Sequence, residues 1–137
     1  VAAFNYIGHG GFDRLADENL FTSADVPSLT NAGRLPIFLA MTCSVLDFAQ
    51  PGYPSLGGAM LLEKDGGAFA VWSPSGLSQN SLAVQLDQSF FRGAFVDNEK
   101  VVGDLVVRSL GELNTPGSQY MRFMYNLLGE PVSRLPE

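Results

Sequence analysis

A chain of 137 residues with 46% apolar and 16% charged side chains is large enough for one hydrophobic core and too rich in Phe, Leu and Val to stay unfolded. A net charge of -6, with only 8 Lys and Arg, argues against a nucleic-acid partner, which needs a basic stripe; at most it favours cationic partners. The lone cysteine excludes an internal disulfide, and no apolar stretch approaches the roughly 18 residues that cross a bilayer.

In chain order, the run VAAFNYIGHG reads as a strand from Val1 to Ile7, broken by Gly8, Gly10 and Gly11 and closing on the only histidine, His9. Because the chain starts directly in a strand without an initiating Met, it is expected to be a piece of a longer precursor. Gly11 to Phe21, with Asp13, Arg14, Asp17 and Glu18, is expected as an exposed polar loop. A short helix should follow, capped by Thr22 or Ser23, with Asp25 in its first turn and Asn31 and Gly33 at its end. The apolar run LPIFLAMTC, Leu35 to Cys43, fits a strand covered on both faces, and Pro36 stands at its start, where a missing amide proton costs least. That strand ends on the only cysteine. The 33 residues between His9 and Cys43 suit a crossover that returns the chain parallel to itself, since a hairpin would need far fewer.

A loop with Pro51, Gly52 and Pro54 leads to a helix from Ser55 to about Lys64, with Leu56, Met60 and Leu61 on one side and Gly57 and Gly58 packed closely. Gly67 to Ser73, GAFAVWS, is a third buried strand, and its following loop, Ser73, Pro74, Ser75 and Gly76, falls beside the other two strand ends. The next helix is capped by Ser78 or Asn80, turns Leu82, Ala83, Leu86 and Phe90 inward and weakens at Gly93. Asp97 or Asn98 opens another, with Val101, Val102, Leu105, Val106 and Leu110 as its stripe, and Asn114 to Gly117 stops it. The spacing then predicts a last helix from Ser118 to Leu128 and a brief extended tail after Pro131.

Ligands of open parallel sheets gather at the carboxyl ends of the strands, and His9 and Cys43 both fall there. A thiol titrating at about 8.5 needs an imidazole or a strong dipole to hold its thiolate at neutral pH, and His9 is the only imidazole. Taken singly, Cys43 reads as a small buried hydrophobe, His9 as a loop residue, and Asp13, Asp17 and Asp47 as solvated; the pairing makes Cys43 and His9 a candidate hydrolytic dyad. Trp72 reads equally as core or as pocket wall. One His and one Cys do not supply a zinc site, no Gly-x-Ser-x-Gly elbow is present, and the early glycines do not complete a nucleotide fingerprint.

The strand ends YIGHG and AMTC, the strand and loop GGAFAVWSPSG, and the closing NLLGEP follow one another as in the gingipain-type cysteine peptidases of the caspase-like clan, which this chain resembles over nearly its whole length. The resemblance implies an α/β fold with a caspase-like, mostly parallel sheet flanked by helices. Residues 1–137 would form one such peptidase domain, the C-terminal part of a larger catalytic domain whose first strands precede Val1. It implies peptide-bond hydrolysis through a thiol acyl-enzyme, with His9 and Cys43 catalytic, and Gly10 and Cys43 giving their amides to the oxyanion. It further implies a polypeptide substrate, a secreted or cell-surface location, calcium as the one cofactor some members bind, and the remainder of its own precursor as a partner. Trp72, Ser73, Pro74 and Ser75 are the candidate substrate-binding wall. Two other readings of the same fold are a surface or secretion-associated domain without catalysis and a sortase-like transpeptidase.

Overall fold

A strand whose side chains all leave water needs a core on each face, and Ile37–Met41 has both. In the computed structural model, which describes residues 3–136, all five of its residues are buried. Ile37, Leu39 and Met41 enter one apolar cluster with Trp72, Leu86, Phe90 and Leu105, while Phe38 and Ala40 enter a second with Leu15, Leu46, Leu56 and Val71.

The chain enters as β1 (Ala3–Ile7) and passes through a small antiparallel sheet of β2 (Gly10–Gly11), β3 (Arg14–Leu15) and β4 (Phe21–Thr22). One 3-10 turn, Val26–Ser28, precedes the return as β5 (Ile37–Met41). α1 (Leu56–Leu62) then leads to β6 (Ala70–Pro74). α2 (Asn80–Phe95), α3 (Val102–Glu112) and the short α4 (Gln119–Met124) precede the closing strand β7 (Tyr125–Gly129). The main sheet has the order β1-β5-β6-β7, with β1, β5 and β6 parallel and β7 antiparallel to β6. The expected segments around α1, β6 and α2 are present, and α3 is too, but it opens at Val102 with Val101 in the cap position rather than at Asp97 or Asn98; the first two residues of the expected Val1 to Ile7 strand lie outside the described residues.

Three local expectations are corrected. Gly11 to Phe21 keeps Arg14, Asp17 and Glu18 exposed as expected but is not only a loop: its ends join the small sheet and carry Leu15 to 0% exposure in the second core. The helix expected after Thr22 shrinks to the single 3-10 turn. Pro27 stands within it, and the Asp25 carboxylate accepts from Thr22 N and Oγ1, both at 2.8 Å, so the acid closes the turn before the helix rather than serving its first turn. The last expected helix stops at Met124, because the edge of β6 takes Tyr125–Gly129 as an antiparallel partner, from Pro74 opposite Tyr125 to Ala70 opposite Gly129. An apolar run as short as YNLLG does not choose between helix and strand by itself; the open edge decides.

Smaller residues set how closely these layers approach. Gly93, in the last turn of α2, is buried, and a Cβ there would come 2.7 Å from Leu105 Cδ2 of α3. Gly57 does the same for α1, with Leu46 Cδ1 2.7 Å from its notional Cβ. Gly67 sits at φ +88, where a Cβ would collide with the Met60 carbonyl oxygen. The Asn31 amide clamps it from the other side, its Oδ1 accepting from Gly67 N at 2.9 Å and its Nδ2 donating to Gly67 O at 3.0 Å. Gly67→Ala is therefore expected to cost about 1–3 kcal/mol in denaturant unfolding.

On the buried face of α2, Asp87 is 8% exposed and its Oδ1 has no hydrogen-bond partner. Burial pushes its carboxyl above the ordinary carboxylate range, against a side-chain hydrogen bond with Asn5 that acts the other way. A carboxyl that holds its proton more tightly when folded than when unfolded loses stability for the fold as pH rises from the unfolded titration range through its own. Asp87→Asn is thus expected to raise the melting temperature more at about pH 7 than at about pH 4, as thermal melts at the two pH values would show.

Candidate active site

Both reactive side chains stand two residues beyond the same rung of the sheet, for Ile7 of β1 pairs with Met41 of β5. After Ile7 the main chain is pinned at His9, whose carbonyl accepts from Tyr6 Oη at 2.7 Å and from Ala16 N at 2.8 Å. Tyr6 can reach over the strand end only because Gly8 has no side chain; a Cβ there would lie 2.6 Å from the phenol oxygen. Thus anchored, the exposed imidazole of His9 projects from a rigid loop.

Gly10 draws that loop onto the neighbouring strand end. A Cβ at Gly10 would run into Thr42 Oγ1 and come within 3.1 Å of its Cγ2. Thr42 itself is buried. Beyond it Cys43 is a free, half-buried thiol, and the chain turns sharply at Ser44, a non-glycine residue at φ +53. Such a backbone costs energy and persists where the surroundings enforce it. Here the enforcement comes from the loop after β6, since Ser44 N donates to Gly76 O at 2.9 Å and Leu46 N to Pro74 O at 3.1 Å.

His9 and Cys43 line one cavity of about 300 Å³ together with Gly8, Met41, Thr42, Ser78 and Asn80. The sulfur lies against Ser78: the Ser78 amide donates to Sγ at 3.4 Å, and Sγ can donate to the Ser78 carbonyl at 3.8 Å. Among the described residues, no hydrogen bond joins His9 to Cys43. The arrangement brings a thiol and an imidazole to the lining of one cleft.

The wall itself differs from expectation. Trp72, Ser73 and Pro74 are buried. Trp72 packs against Phe90 and Tyr125, with ring centroids 5.5 and 5.9 Å away, so it belongs to the core. Ser73 Oγ donates to the Ala40 carbonyl at 2.9 Å and ties β6 to β5. Ser75 Oγ reaches Met124 O at 3.2 Å and accepts from Asn126 Nδ2 at the same distance, which occupies it structurally. The residues that do face the cleft, Ser78 and Asn80, were read from sequence as helix caps. α2 begins without a side-chain cap, Gln79 holding the cap position, and the residues on either side of it line the cavity. Their place in the loop after a parallel strand was the available signal.

Among the described residues, no three His, Cys, Asp or Glu side chains converge where a metal ion could be held. A cavity of about 340 Å³ between α2 and α3 contains Arg92 and Glu112, but these pair with each other, and Glu112 also with Arg108 and Ser89.

The model of peptidase family C25 matches residues 1–136. The chain belongs to that family of cysteine peptidases. No curated protein sequence matches it. Among solved structures, it superposes on the Arg-specific cysteine proteinase gingipain R (RGPB) with a TM-score of 0.87 at 18% identity, over 98% of this chain and 33% of that one. The complex of Porphyromonas gingivalis RgpB pro- and mature domains gives 0.87 at 17%, over 98% and 34%, and a structure described as a protease gives 0.86 at 18%, over 98% and 35%. The C25 chain thus has the mixed, largely parallel sheet of the gingipain fold, and spans about a third of the length of these structures.

The close approach of Gly10 to Thr42 yields a direct check. Gly10→Ala is expected to lose about 1–3 kcal/mol of stability by denaturant unfolding and to slow alkylation of Cys43, since the added methyl must push the two strand ends apart.

Proposed function

We propose that this C25 chain carries the reactive centre of a cysteine endopeptidase, with Cys43 as nucleophile and His9 as general acid and base. The observation that supports it is the shared cleft: thiol and imidazole, each two residues beyond paired β1 and β5 positions, open on the same cavity. The thiolate attacks the carbonyl carbon of a peptide bond and forms a C–S bond. As the tetrahedral intermediate collapses, the C–N bond breaks and the leaving amine takes the imidazolium proton. Water, giving its proton to the imidazole, then attacks the thioester and releases the acid, and the C–S electrons return to sulfur.

The oxyanion donors in this reading are the amides of Gly10 and Cys43, each such donor typically worth about 3 kcal/mol. The absence of a side chain at Gly10 lets a carbonyl come close to the backbone. The substrate is a polypeptide. Arg-containing peptides are the first to try, because the matched gingipain R is Arg-specific and a chain of net charge -6 suits cationic ligands. In the same reading the protein works outside the cell or at its surface. Its partner is a segment of its own precursor, as the pro- and mature domains of RgpB associate.

The test is labelling of Cys43 by a peptide-like thiol-directed electrophile in the full protein that carries this chain. Labelling should vanish in Cys43→Ala and slow by about two orders of magnitude in His9→Ala, the usual worth of a positioned acid-base group. Equal labelling rates in wild type and His9→Ala would reject the dyad and leave a fold without this chemistry. An added amine acceptor in place of water as the acyl destination would identify transpeptidation instead.

A further inference from the structure

Ser78 touches the sulfur of Cys43 through its main chain alone, and its position is set from elsewhere. Its amide lies 3.4 Å and its carbonyl 3.8 Å from Sγ, so a thiol can donate to the carbonyl and a thiolate can accept from the amide. Its hydroxyl shares a hydrogen bond of 2.9 Å with Tyr125 Oη and points to Met121 Sδ at 4.0 Å. Tyr125 is 3% exposed, wedged edge-on to Trp72. The other end of the same loop is tied to the adjacent residue, since Ser75 N and Oγ both reach Met124 O. The short segment 75–78 is thus fastened at both ends to the α4–β7 junction.

We propose that Tyr125 and Ser78 are positioning residues that hold the Ser78 amide on the Cys43 sulfur and so favour its thiolate. The proposal rests on Cys43 being the nucleophile. It uses a part of the chain, the start of β7, far in sequence from either reactive residue. The titratable groups that face this pair are His9, which lines the same cleft as the sulfur, and, acting on the Tyr125 phenol, Cys43 itself, Asp87 from α2 and Tyr120 from α4. Burial pushes the Tyr125 phenol well above its ordinary range, with the charges of Cys43, Asp87 and Tyr120 adding in the same direction, against the hydrogen bond to Ser78. The phenol therefore remains a neutral hydrogen-bonding group at neutral pH.

The experiment is the rate of Cys43 alkylation by iodoacetamide from about pH 5 to about pH 10, a small reagent that needs no substrate pocket. Tyr125→Phe and Ser78→Ala should react about tenfold more slowly than wild type near neutral pH and reach the same alkaline plateau, as loss of a charge-assisted hydrogen bond predicts. Ser78→Thr, which keeps a hydroxyl, should lie closer to wild type than Ser78→Ala. Superimposable profiles, or a rate change of the same size at every pH, would overturn the proposal; the second pattern is that of a loop merely loosened. Where Tyr125→Phe does not fold, the Ser78→Ala and Ser78→Thr pair carries the same decision. His9→Ala is run beside them with the peptide-like electrophile, so that failure of the dyad shows in that reagent while this proposal stands or falls on iodoacetamide.

Discussion

The pairing of β1 with β5 in parallel, Ile7 opposite Met41, is the constraint on which the site depends. Parallel neighbours end at the same rim of the sheet, so each strand delivers its next residues to a common level. Here the delivery is equal on both sides, two residues to His9 and two to Cys43. Gly10 then removes the last obstacle, since only a residue without a side chain lets the His9 loop settle against Thr42. A slip of one residue in this register would turn the core side chains of one strand to its other face and separate thiol from imidazole at the same time.

That register is enforced by burial rather than by the site. β5 gives alternate side chains to two apolar clusters, Phe38 stacking on Phe4 at 5.0 Å on one face while Leu39 joins Trp72 and Phe90 on the other. Against so firm a strand the turn after Cys43 can be held in an unfavourable backbone. Its partners come from β6, through Pro74 and Gly76, and β6 is in turn fixed to β5 by Ser73 and to β7 along its whole length. Cys43 is therefore followed by a turn braced by the strands β5, β6 and β7, and the free energy stored at Ser44 is drawn from packing elsewhere.

The larger differences between expectation and structure arise where a segment's partner is distant in sequence. Where the pattern is local, it could be read: the helix expected from Ser55 is there, with Ser55 Oγ accepting from Gly58 N, and Leu82, Ala83, Leu86 and Phe90 form the buried stripe of α2. Where the partner is distant, local pattern misled. YNLLG looks as helical as the residues before it until the free edge of β6, some fifty residues earlier, is available to pair with it. Trp72 at a strand end beside a polar loop looks like a pocket wall until Phe90 and Tyr125 close over it. Gly11 to Phe21 looks solvated because Asp13, Arg14, Asp17 and Glu18 interrupt its apolar residues, yet Leu15 enters the second cluster and Phe21 packs against it.

The amino-acid sequence by itself determined the chemical inventory and the strands that carry it: one thiol, one imidazole, each closing an apolar run, with a spacing between them that demands a crossover. Those facts follow from composition and from periodicity, which act over a few residues. Tertiary structure decided what surrounds the sulfur. That the Ser78 main chain rather than the Trp72 ring lies beside the thiol, and that Tyr125 from the last strand holds it there, are consequences of β7 joining the sheet. Such long-range pairing is settled by which edge remains unpaired once the cores have closed, and no short stretch of residues encodes it.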